Sequence, residues 1–288
     1  MKVAIIIVVV IVLAVYLGIS AYGAVAVTRI PRLPVEQSPD TFGLVYEDVS
    51  FPSREDNITL KGWFMPGGEF VVIVVNGGEH PRIEVAAGTL EMTKDLVDRG
   101  LSVLLFDQRG RGESEGKGLL LIKANQDIGG AVDYVRSRGH SHIVIIGLSL
   151  GAATALDYAT LNDVTAIVAD SCYSNVTEAL IERIVYFKGI PEPIVRFFTP
   201  GMYLMAKIIY GYSKVNPVDI VSDVKCPILF IHGEADALIP VENAYELYQA
   251  SGNPLDELWV IPGVEHCRAY KTDPVAYINR VTSFFEER

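Results

Sequence analysis

Cysteine is scarce: Cys172, Cys226 and Cys267 are the only three in 288 residues. Three thiols are too few for a disulfide scaffold, and their spacing matches no zinc motif. One disulfide is possible, with at least one thiol left over. Positive charge is also in short supply, 24 Lys and Arg against 35 Asp and Glu, for a formal net charge of −11. So acidic a chain argues against nucleic acid or anionic lipid headgroups as the main partner. Phosphate-binding loops are missing too. Gly110-Arg111-Gly112 follows an apolar run, but position 115 is Glu, and Lys117 is followed by Gly118, so neither the dinucleotide nor the Walker spacing is met. No set of side chains suggests a metal site, and no cofactor is expected. Charged residues make up only 20% of the chain and hydrophobic ones 50%, a balance too apolar for disorder.

Much of the hydrophobic excess is concentrated at the start. From Val3 to Val27 no side chain is charged, a run of 25 residues. As a helix it would be roughly 38 Å long, enough to cross a hydrocarbon core of about 30 Å with some tilt. We therefore expect residues 1–28 to be a single-pass membrane anchor contacting lipid through residues 3–27. A cleaved signal peptide is the competing reading, because Ala24-Val25-Ala26 offers the small residues of a cleavage site. Lys2 lies on one side and Arg29 and Arg32 on the other, so orientation stays open. Pro31, Pro34 and Pro39 block helix continuation and mark residues 29–43 as a short, stiff spacer.

Beyond residue 44 apolar runs alternate with segments of helical period. The runs are Leu44–Ser53, Leu60–Met65, Phe70–Asn76, Leu101–Asp107, His142–Gly147, Ala166–Asp170, Pro227–His232 and Glu257–Ile261. Several are nearly continuous Val, Ile and Leu, as strands covered on both faces require. Helical patterns occupy Val85–Arg99, Asn125–Arg138, Ala152–Thr160, Val241–Ala250 and Pro274–Glu287. This alternation predicts a mostly parallel sheet with helices on both faces, with an antiparallel lead-in where the first two runs have no helix between them. Between about 173 and 215 no strand intervenes. That stretch is helical and aromatic, interrupted by Pro191, Pro193 and Pro200, and reads as a cap inserted over the sheet of a 44–288 domain.

Gly147-Leu148-Ser149-Leu150-Gly151 lies between a buried strand and a helix. A serine on so sharp a turn projects into a cleft, and its glycine neighbours keep clear of adjacent backbone. The helix starting at Leu150 aims its N-terminal N–H groups at any oxyanion near Ser149. Serine needs a base that is itself held by an acid. Asp236 follows the strand ending at His232-Gly233, and His266 lies in the loop after the next strand, giving the chain order Ser, Asp, His. Asp170, also at a strand end, is the alternative acid. His232 reads as a strand cap that orients the acid loop, His140 and His142 as turn residues.

These segments, with Asp107-Gln108-Arg109-Gly110-Arg111-Gly112-Glu113-Ser114, resemble the α/β-hydrolase superfamily, and most closely its prolyl-oligopeptidase-related, membrane-anchored small branch. The resemblance covers essentially everything after residue 40. It implies a serine hydrolase with Ser149 as nucleophile, His266 as base and Asp236 as acid. It also implies an oxyanion hole from the N–H groups of Leu150 and Gly78, with Gly77 or Glu79 able to substitute for Gly78. Asn76 stands where the family often has histidine. The expected substrate is a small or lipid-like acyl ester or thioester. A serine peptidase or acyl-peptide hydrolase is the alternative, and a non-catalytic membrane-anchored binding protein the second.

Overall fold

A computed structural model describes residues 1–286, so Glu287, the expected end of the last helix, lies outside the described residues. The elements run α1 (Lys2–Thr28), β1 (Glu47–Pro52), β2 (Thr59–Met65), β3 (Phe70–Val75), α2 (Thr89–Asp98), β4 (Ser102–Phe106), α3 (Ala124–Ser137), β5 (His142–Leu148), α4 (Leu150–Ala159), β6 (Ala166–Asp170), α5 (Val176–Lys188), α6 (Glu192–Tyr210), α7 (Pro217–Ile220), β7 (Ile228–Gly233), α8 (Glu242–Ser251), β8 (Glu257–Ile261), α9 (Ala269–Thr272) and α10 (Pro274–Glu286). Eight strands form one sheet in the order β1-β2-β4-β3-β5-β6-β7-β8. The lead-in is antiparallel, β1 on β2 and β2 on β4, and every later pair is parallel. This is the α/β-hydrolase fold that the sequence predicts.

The central strands bury both faces, which is why their sequences lack polar alternation. In β3, Val71, Ile73 and Val75 join a core with Ile128 and Val132 of α3 and Leu156 of α4. The intervening Val72 and Val74 join a second core with Leu90 and Leu96 of α2 and Tyr277 and Phe285 of α10. One apolar strand thus feeds two layers through its period of two.

Two boundaries differ from expectation. The helical pattern at Val85–Arg99 becomes a helix only at Thr89, because Gly88 has φ of 76°, which a helix does not accommodate. Within the cap, Pro191 and Pro193 lie at the start of α6, but Pro200 lies inside it and the helix continues through. The expected interruption there does not occur.

The segment 29–43 is docked rather than free. Arg29 bridges to Leu119, and Ile30 N donates to Gly118 O at 3.0 Å. The Arg32 guanidinium donates to Gly112 O at 2.9 Å, Ser114 O at 2.6 Å and Gly116 O at 3.2 Å. Helix α1 is long and apolar enough to cross a membrane, with mean hydropathy 3.1 over its best window. Its first part is exposed, whereas Ser20, Ala24 and Thr28 are buried.

Candidate active site

All the chemistry-bearing side chains collect at the C-terminal edge of the parallel strands, where open α/β sheets place their ligand sites. Ser149 follows β5 with φ 53° and ψ −115°, a conformation that lifts its side chain out of the strand-to-helix turn. Gly151 allows that turn to exist: a Cβ there would stand 2.0 Å from Val75 O.

His266 Nε2 lies 3.0 Å from Ser149 Oγ, placed to accept the hydroxyl proton. Its Nδ1 lies 2.6 Å from Asp236 Oδ2. The other oxygen of Asp236 accepts from Leu238 N at 3.0 Å and Ile239 N at 2.8 Å. Burial alone would raise the Asp236 pKa. Hydrogen bonds from His232 and His266, the His266 charge and the Ile239 N–H outweigh burial and hold it at about 2. Asp236 is therefore a carboxylate at any ordinary pH. His232 is wholly buried, its Nε2 2.8 Å from Ile239 O and 3.4 Å from Asp236 Oδ2. It ties the acid loop to the end of β7. Burial pulls its pKa down, but the Asp236 hydrogen bond, the Ile239 carbonyl and the charges of Asp236 and Asp170 bring it above the ordinary value.

Asp170, the alternative acid, is turned elsewhere. It accepts from Ser171 Oγ at 3.0 Å and from Tyr277 OH at 3.2 Å, and burial pushes its pKa up to about 6. Ser171 Oγ in turn accepts from Cys267 N at 3.0 Å. Asp170 thus supports the loop that carries His266 without touching the imidazole. Sequence reasoning missed that role, since the link passes through a serine and a backbone N–H 96 residues away.

The loop after β3 holds Gly78. A Cβ on Gly77 would lie 2.9 Å from Ser149 Cβ, so side chains are excluded where this loop meets the nucleophile. Among the described residues, neither the Gly78 N–H nor the Leu150 N–H donates to a protein acceptor. Gly78 and Leu150 both line the cavity beside Ser149. Asn76 does not point to that cavity: its Nδ2 donates to Pro81 O at 2.8 Å and its Oδ1 accepts from Thr89 Oγ1 at 3.2 Å.

The 107–114 stretch braces this loop. Gln108 Nε2 donates to Asn76 O at 3.2 Å. Asp107 takes two guanidinium hydrogen bonds from Arg82, at 3.1 and 2.6 Å, and one from Arg82 N at 2.6 Å. Arg82 was another omission, because nothing local marks it as the partner of a carboxylate 25 residues on.

Beside Ser149 an open cavity of about 90 Å³ lies between the cap and the body, apolar along Leu120, Val176, Leu180 and Leu238 and carrying one cation, Arg183, on its wall. Arg183 is paired with Glu79 at 2.8 Å, joining α5 to the Gly78 loop. Asn175 caps α5, its side chain accepting from Thr177 N and Glu178 N. All three cysteines are free thiols, so the possible disulfide is absent. Among the described residues no group of His, Cys, Asp and Glu could hold a metal.

A serine on a strand-to-helix turn, a histidine and a carboxylate in line, and two free N–H groups supply the groups that acyl transfer requires. The class is that of α/β-hydrolase-fold serine hydrolases. Comparison with known proteins agrees. Residues 70–184 match the family described as serine aminopeptidase, S33. An esterase from Pyrococcus furiosus, Pf2001, superposes with a TM-score of 0.77 at 27% identity, over 91% of this chain and 98% of that one. Est1E of Butyrivibrio proteoclasticus, in a structure with ferulic acid bound, shares the fold at 19% identity and TM-score 0.62, over 83% of this chain and 100% of its own. Among curated proteins, uncharacterized protein YfhR of Escherichia coli K12 is 28% identical over 240 residues, 78% of this chain and 74% of its own length. The chain thus has structural and sequence homology to serine esterases and related hydrolases that work through an acyl-enzyme.

Proposed function

We propose that the protein is a membrane-anchored serine esterase. The carrying observation is the unbroken line from Ser149 Oγ through His266 to Asp236, at 3.0 and 2.6 Å. Ser149 Oγ attacks the carbonyl carbon while His266 Nε2 takes its proton. The oxyanion is met by the Gly78 and Leu150 N–H groups. His266 then gives the proton to the leaving alcohol, and Asp236 keeps the imidazole in the tautomer that permits both transfers. Water, activated by the same histidine, releases the acid from Ser149. Every step uses the chain's own groups.

The apolar lining of the cavity supports an ester or thioester with a hydrocarbon acyl group. A peptide bond is the second reading, favoured by the match of residues 70–184 to a serine aminopeptidase family. On this proposal residues 1–28 anchor the chain, 29–43 join it to the body, and 44–288 form the hydrolase with its cap at about 173–215. Retention of α1 is supported by its packing, because cleavage after Ala26 would strip Ala24 from Met202 and Ala206 of the cap.

A fluorophosphonate probe tests the proposal directly. Wild type should be labelled covalently and Ser149→Ala should not; equal labelling would overturn the catalytic reading. Turnover of butanoyl and palmitoyl esters against peptide amides then separates the two substrate readings.

A further inference from the structure

The length of α1 fixes the height of the cap, given the anchored-esterase reading above. A hydrocarbon core about 30 Å thick takes roughly 20 helical residues, and more if the helix tilts. Lys2–Val15 is exposed on every side, whereas from Tyr16 onward one face of α1 is covered; the uncovered stretch is roughly 21 Å long at the helical rise. From Tyr16 onward α1 lies against α6. The Tyr16 ring stacks on Phe198 with centroids 5.3 Å apart, and its hydroxyl donates to Phe197 O at 3.2 Å. One turn on, Ser20 meets Gly201 so closely that a Cβ on that glycine would lie 2.2 Å from Ser20 Oγ. The helix cannot cross a bilayer without drawing about six further residues, and the part of α6 packed on them, into the hydrocarbon.

The surface of α6 is suited to that environment. Ile194, Phe197, Leu204 and Ile208 recur at near-heptad spacing and are 50%, 64%, 50% and 65% exposed. A row of large apolar side chains left open on an otherwise acidic protein marks a contact surface. Arg196, which sits near its start, is neutralised by Glu178 and Glu192, both at 2.6 Å.

An independent observation lies beneath α6. A cavity of about 70 Å³ opens between α1 and the cap, with Ala24 and Val27 on one wall and Met202 and Ala206 on another. It shares Leu120, Leu121, Val176 and Leu180 with the cavity beside Ser149. The two spaces are therefore neighbours along one apolar wall that runs from the anchor to the nucleophile.

We infer that the cap is seated in the bilayer and that the substrate is a membrane-resident acyl ester whose chain enters sideways between α1 and α6 to bring its carbonyl to Ser149.

The full-length chain in phosphatidylcholine vesicles containing acyl-chain-brominated lipid tests both halves. Phe197→Trp and Leu204→Trp report depth against the wild-type background. Leu161→Trp serves as reference, since Leu161 is 89% exposed just beyond the end of α4 remote from Ser149. Bromine should quench the first two strongly and the third little. Val27→Trp fills the cavity between α1 and the cap and should lower the ratio of palmitoyl to butanoyl ester hydrolysis about tenfold. Ala206→Phe is the second probe should the first fail to fold, as judged by fluorophosphonate labelling. Equal quenching at all three positions, with labelling of Ser149 intact, overturns the seating and leaves the esterase reading standing. Deep quenching with an unchanged ester ratio in both cavity variants overturns sideways entry. Absence of labelling in wild type overturns the esterase reading itself.

Discussion

Buried strand β6 ends on a buried aspartate, Asp170, and the loop after buried strand β7 soon reaches another, Asp236, yet the two carboxyls shift their pKa in opposite directions. Asp236 is surrounded by donors, two backbone N–H groups and two histidines, and its pKa falls to about 2. Asp170 has two neutral hydroxyl donors, and burial takes its pKa up to about 6. Burial alone does not determine how firmly an aspartate holds its proton. The number and kind of donors aimed at it decide.

The sharpest way to break this comparison is to remove the charge from one loop and then from the other. Asp236→Asn should lower kcat on a soluble ester about ten-thousandfold, because the amide cannot hold the His266 tautomer. His232→Phe, which frees the Ile239 carbonyl beside Asp236, should cost about tenfold in kcat, consistent with one buried acceptor left unsatisfied. Steady-state kinetics on butanoyl ester reads both. Asp170→Asn should change kcat less than about tenfold, since it acts only through Ser171. An Asp170→Asn loss as large as that of Asp236→Asn would reverse the assignment of the acid.

The pH dependence of stability sharpens the contrast, because the two signs differ. Asp236 has a folded pKa below the unfolded value of about 3.9, so its contribution is present above that pH and is lost as pH falls through about 2. Asp170 has a folded pKa above the unfolded value. Its contribution is full below about 3.9 and is lost as pH rises through about 6. Urea unfolding of detergent-solubilised protein should therefore show Asp170→Asn losing less stability than wild type between those two pH values. The smallest effect is expected for Ser171→Ala, about 1 kcal/mol, the typical net value of one hydrogen bond.

The sequence made one of these loops legible and not the other, for a physical reason. Asp236 and His266 sit at successive strand ends after a nucleophile turn, so topology alone brings them together. The strands themselves were readable because burial on both faces leaves continuous Val and Ile. The contacts that support the site leave no such trace. Arg82 with Asp107, and Asp170 with Ser171 and Cys267, depend on side-chain direction across loops. The same holds for the prolines. Pro200 reads as a break in the chain, but it lies within α6 beside Gly201, where α1 packs close. Residues 29–43 read as a linker because three prolines bar a helix; that Arg32 fastens them to the body depends on carbonyls about eighty residues away.

That fastening carries a consequence for selectivity. With Arg32 gripping three carbonyls and Arg29 bridged to Leu119, the end of α1 is fastened to the 112–119 loop, so on the proposed reading the anchor is mounted on the body without a free hinge. An enzyme on a swivel would sample scissile bonds at many heights above a bilayer. A rigidly mounted one works as a depth gauge, cutting bonds only in one plane. On the proposed reading, two flexible residues inserted after Arg29 would change which esters are cut while leaving every group around Ser149 in place.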